Sequence, residues 1–153
     1  MAFFSAINVS ATGLTAQRLR MDVISENIAN VNTTRTQQGG PFRRKTVLFE
    51  EIQETPFSAM MRDTLGNDNG VRNASAGMGV RVTDIVRDQT QGPMIHDPSH
   101  PDANAEGYVE MPNVNIVEEM VNMISASRSY EANITAVNTA KSLMSRTLEI
   151  GRG

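Results

Sequence analysis

Apolar residues recur every seven positions at both ends of this chain and lose that period in between. Near the start, Ile7, Leu14, Met21 and Ile28 keep the period, and Ile24 and Val31 follow the last two by three. Such spacing lines up one stripe of an α-helix and predicts a helix over residues 3–32. The stripe is imperfect, because Ser10 and Gln17 take the companion positions earlier on. Fraying is expected across residues 30–34, where Asn and Thr side chains compete with the helix for backbone groups. Near the end, Ile116, Met123, Tyr130, Val137 and Met144 repeat the period, with Met120, Ile134 and Leu148 four positions after three of them. A second helix is therefore expected over 113–150. Asn113 or Asn115 follows Pro112 as its cap, Glu118 stands at capping-box spacing from Asn115, and Gly151 closes it. Glu118 and Glu119 suit the positive end of its dipole, and Lys141 and Arg146 the negative end.

Between these segments the texture changes. Val47 and Phe49 alternate with Leu48 and Glu50, and Val80 and Val82 with Arg81 and Thr83, which predicts two short strands. Turn-forming runs such as Gly66-Asn67-Asp68-Asn69-Gly70 stand between them. The four prolines from Pro93 to Pro112 require extended or irregular backbone. The expected fold is mainly α with a small β region, the long terminal helices pairing in a coiled-coil-like arrangement. Three parts follow: a helix in 1–34, a β-rich and looped middle in 35–112 with a mobile insertion at 51–78, and a helix in 113–153.

Composition then limits how such a chain is stabilised. Aromatic residues are 5% of its 153 residues, so the core is thin and rests on aliphatic and Met contacts. A two-helix hairpin of this kind buries little, and the density of Ser, Thr and Asn on the second helix suggests that its outer face meets helices of other subunits. The formal charge of −3 is too small to imply nucleic acid or an anionic surface. With no cysteine, disulfides and thiol chemistry are excluded. No run approaches the ~20 apolar residues of a membrane span. A secretory signal is not expected either: no Lys or Arg precedes Arg18, and Ser5, Asn8 and Ser10 interrupt the apolar start.

Candidate chemistry is sparse. His96 and His100 are four apart with Asp97 and Asp102 nearby, a zinc-like spacing on a helix, but Pro98 and Pro101 forbid helix there. Exposed loop histidines are the expectation, with no metal, no cofactor and no catalytic residues. Arg43-Arg44-Lys45 is too short a run for nucleic acid and reads as a charged strand edge or an intersubunit charge contact. No glycine pair forms a phosphate loop, and no small-molecule substrate is implied.

Two stretches carry a resemblance. Residues 25–33, Ser-Glu-Asn-Ile-Ala-Asn-Val-Asn-Thr, resemble the N-terminal signature of flagellar rod and hook proteins. The Gly107-Tyr108-Val109-Glu110-Met111-Pro112-Asn113-Val114-Asn115 entry, running on to Asn133, is similar to the C-terminal block of the C class of proximal rod proteins. Residues near 51–78 fall outside the resemblance. It implies a structural subunit rather than an enzyme, exported by the flagellar type III apparatus without a cleaved signal and placed in the periplasmic rod of the basal body. Its implied partners are copies of itself, rod proteins of the FlgB, FlgF and FlgG types, the rod-base protein FliE and the export apparatus. The residues expected to pack between helices are Ile7, Leu14, Met21, Ile28, Ile116, Met120, Met123, Tyr130, Ile134, Val137, Met144 and Leu148. Terminal helices marginal in isolation would stay loose for export and gain order when neighbours bury their seams. An ordinary coiled-coil adaptor would explain the helices but not the middle, and an enzyme rests on the two histidines alone.

Overall fold

A computed structural model describes residues 2–52 and 78–151. Two long terminal helices flank a small region of short antiparallel strands. Helix α1, Ala2–Ala29, has 28 residues, and helix α2, Ile116–Ile150, has 35. Strand β1, Lys45–Glu51, pairs with β2, Val80–Arg87, and β3, Met94–His96, pairs with β4, Tyr108–Glu110. The expected mobile insertion at 51–78 lies almost wholly outside the described residues.

Local chemistry sets the ends of these elements. Beyond α1 the Asn30 side chain donates to the Glu26 carbonyl, and Thr33 donates from its backbone and hydroxyl to Asn30. These bonds replace the helical ladder where the sequence predicted fraying. At the start of α2, Asn115 Oδ1 accepts the Val117 N–H at 3.0 Å, so Asn115 is the cap. Between Pro93 and Pro98 the extended backbone that proline enforces becomes β3, in register Met94↔Glu110, Ile95↔Val109 and His96↔Tyr108. The alternation in 47–50 and 80–83 becomes β1 and β2, with Val47 buried and Leu48 and Phe49 exposed.

The chain divides into two compact units. The first comprises Met1–Ala16, Phe49–Val82 and Tyr130–Gly153. There the Gly79 backbone has φ +116° and passes so close to α1 that an added Cβ would lie 2.2 Å from Thr12 Oγ1. Thr12 Oγ1 accepts the Val80 N–H and donates to the Val9 carbonyl. In the same unit a Cβ at Gly13 would stand 3.1 Å from the Asn133 carboxamide, so the missing side chain lets α1 and α2 approach closely. The second unit, Gln17–Leu48 and Thr83–Ser129, holds most of the core formed by the described residues: Val23, Ile24, Phe42, Val47, Val109 and Ala126 are buried there.

Candidate assembly surface

The centre of the second unit is polar. Asn27 is 0% exposed and Glu119 1%, and they are the largest fully buried side chains described. Asn27 sits in the last turn of α1, and Glu119 lies in the first turn of α2. Arg44, just ahead of β1, donates from Nε at 2.9 Å and Nη2 at 2.7 Å to Glu119 Oε1. Asn27 Nδ2 donates to Glu119 Oε2 and to the Lys45 carbonyl, both at 2.9 Å, while Asn27 Oδ1 accepts the Lys45 N–H at 2.9 Å. Asn113 Oδ1 accepts the Arg44 N–H at 2.8 Å, and Asp88 after β2 donates its N–H to the Arg44 carbonyl at 2.8 Å. Four segments distant in sequence are thus tied by side chains whose hydrogen-bonding atoms are matched, as burial requires.

The basic run is spent inside this unit. Arg43 pairs with Glu110 at 2.9 Å, Arg44 with Glu119, and Lys45 with Glu26. An open depression of about 560 Å³ is lined by Glu26, Arg43, Lys45 and Arg87, but these charges already have partners: Arg87 donates to Gln38. The histidines are separately engaged. His96 meets the Tyr108 ring edge-on at 5.0 Å, and His100 Nδ1 accepts the Asp102 N–H at 3.1 Å. Among the described residues no three His, Cys, Asp or Glu side chains cluster to hold a metal ion. No described helix is long and apolar enough to cross a membrane. Asp97 accepts from the Ser99 hydroxyl and N–H, which holds its carboxyl below the usual aspartate value.

Burial sorts the residues expected to pack. On α1, Ile7, Leu14, Met21 and Ile28 are partly buried, beside the buried Ala16, Val23, Ile24 and Asn27. The sheltered positions on α2 include 119, 123, 126, 130, 133, 137, 140 and 144, alternating by four and three, with Asn122, Ser127 and Ser129 partly sheltered beside them. One column of that stripe is Met123, Tyr130, Val137 and Met144. The other is Glu119, Ala126, Asn133 and Ala140, which a search for large apolar residues passes over. Ile116, Met120, Ile134 and Leu148 point instead to solvent, Met120 being 55% exposed and Leu148 64%.

The outer side of α2 in the second unit is consequently apolar. Ile116, Val117, Met120, Val121 and Ile124 are all exposed, Val117 by 67% and Val121 by 62%. An exposed apolar stripe of this size on a helix whose inward side is already docked calls for a cover in water. Further along, the Ser129, Thr135, Thr139, Ser145 and Thr147 hydroxyls donate to carbonyls four residues back. Those donors are satisfied within the helix, so another surface can lie against them without stranding a polar group.

Comparison with known proteins places this arrangement in a family. Residues 7–37 match the family described as flagella basal body rod protein, and residues 105–150 match the one described as flagellar basal body rod FlgEFG protein C-terminal. Flagellar basal-body rod protein FlgC of Borreliella burgdorferi is 51% identical, with all of both chains covered. FlgC of Bacillus subtilis is 45% identical over 99% of this chain and 100% of its own. FlgC of Salmonella typhimurium is 37% identical over the same shares. Full-length identity at this level, carried on two terminal helices and a small β region, shows that the chain belongs to the FlgC family of flagellar basal-body rod proteins.

Proposed function

We propose that this protein is a structural subunit of the proximal rod, built with copies of itself and its relatives into a hollow periplasmic shaft that transmits motor torque. The observation that carries the reading is the outward apolar stripe of α2, which leaves five large side chains in water on a helix whose other side is already packed. In an assembly these residues would meet helices of neighbouring subunits. The partly buried column Met123, Tyr130, Val137 and Met144 would join the packing beneath them. The neighbours that fit the family are rod proteins of the FlgB, FlgF and FlgG types and FliE. Export through the flagellar type III apparatus would deliver the chain without a cleaved signal. The fold serves a mechanical role, with no catalytic centre in the mechanism: torque is carried by many distributed contacts, and each interface shares the load.

The test is genetic. Ile116→Asp with Met123→Asp, expressed in a strain lacking the natural gene, should leave export intact while rods and swimming are lost. Swimming at the natural level in that strain would refute the packing role.

A further inference from the structure

In the second unit α2 docks by its poorer face. Its inward positions over the first three turns are Glu119, Asn122, Met123 and Ala126, whereas Ile116, Val117, Met120, Val121 and Ile124 face solvent. At about 100° per residue, Val117, Val121 and Ile124 lie roughly 140–200° around the helix from Glu119. Apolar area removed from water would favour the opposite rotation, with the aliphatic stripe inward and Glu119 in solvent. Something in the unit must select against that arrangement.

The geometry points to Glu119, with Asn27 and Arg44, as a rotational selector that keeps the apolar stripe of α2 outward. Asn27 is locked in one orientation, because the Lys45 backbone both donates to its Oδ1 and accepts from its Nδ2. Its Nδ2 also donates to Glu119 Oε2, while Arg44 takes Glu119 Oε1 from two nitrogens. Each carboxylate oxygen is therefore read by a different partner. If α2 rolled, Glu119 would regain water, but Asn27, 0% exposed, would keep an N–H with no acceptor. Arg44 would lose its counterion in a partly buried position. A buried donor without a partner is costly, whereas a buried ion pair adds little net stability over apolar side chains of similar volume. Such a cluster acts mainly by choosing one arrangement over others, as a single polar residue does in a coiled-coil seam. The functional meaning of the choice rests on the reading of the stripe as the assembly surface: the selector stops the subunit from burying its own interface.

The absence of natural cysteine makes single introduced thiols unambiguous reporters. Val121→Cys and Ala126→Cys are each placed in the natural full-length chain and in the triple variant Asn27→Leu, Arg44→Met, Glu119→Leu. Maleimide labelling rates are compared, with helix content followed by circular dichroism. In the natural chain the thiol at 121 should label fast and the thiol at 126 slowly. In the triple variant helix content should persist and the preference should invert, with each rate moving by roughly tenfold, well within the range that local burial controls. Helix retained with the natural preference unchanged would overturn the proposal. Loss of helix, with both thiols labelled alike, would also overturn it, reducing the cluster to a stabilising contact. Val121→Asp leaves the selector in place and should keep the 126 thiol protected while abolishing rods. Rods formed by Val121→Asp would refute the assembly reading and leave the labelling result on the selector standing.

Discussion

Glu119 and Arg44 form a pair in which loss of either partner is worse than loss of both. Arg44→Met leaves a carboxylate at 1% exposure facing only Asn27, and should cost about 3 kcal/mol of stability. Urea denaturation with helix content as the signal measures this, and a loss below the error of the method would show that the pair is not formed. Asp97 offers a pH test. Its hydrogen bonds from Ser99 lower its folded pKa, so its contribution is present above the unfolded aspartate value and fades as pH falls through the lower folded one. Asp97→Asn should therefore be felt near neutral pH and lose its effect in strong acid. Carboxyl carbon shifts followed against pH should show an inflection below the usual aspartate range, and one at or above it would contradict the turn bond.

The elements differ in how firmly they are held. Residues 119–126 of α2 pack on the polar cluster and the core of the second unit, whereas most residues from 131 to 150 are exposed. Amide exchange in the free protein should be slow in the first stretch and fast in the second. Uniform strong protection along α2 would contradict this division. At the edge of β2, Gly79→Ala combines an unfavourable φ with a collision against Thr12 and should destabilise by roughly 1–3 kcal/mol, as thermal unfolding would measure. Both helices, a cap at Asn113 or Asn115, and β1 and β2 were legible because each leaves a local pattern, and the structure chooses Asn115. The β3–β4 pair was not, since three-residue strands between prolines offer too little alternation to read. The polar cluster was illegible for another reason: its hydrogen bonds join residues 18, 75 and 92 apart in sequence. The inner column of α2 escaped because Glu119, Ala126, Asn133 and Ala140 are not large apolar residues. Its one visible trace is the acidic pair Glu118-Glu119 inside the run from Ile116 to Ile124.

At the scale of the molecule, a thin core goes with an unfinished surface. Among the described residues the buried apolar side chains are few and lie mostly in the second unit, while larger ones on α2 stay in water. A monomer that kept this surface exposed would be poorly suited to solution, and a subunit of a rod would not be. The family fits that economy, because a shaft gains its stability from neighbours as well as from each chain. The direct measurement is the reactivity of a single thiol at position 121 in the free subunit and in isolated basal bodies. Fast labelling of the free protein and strong protection in the rod are the predicted result. Equal labelling in both, in basal bodies that contain the subunit, would contradict the claim that neighbouring subunits cover the outward face of α2.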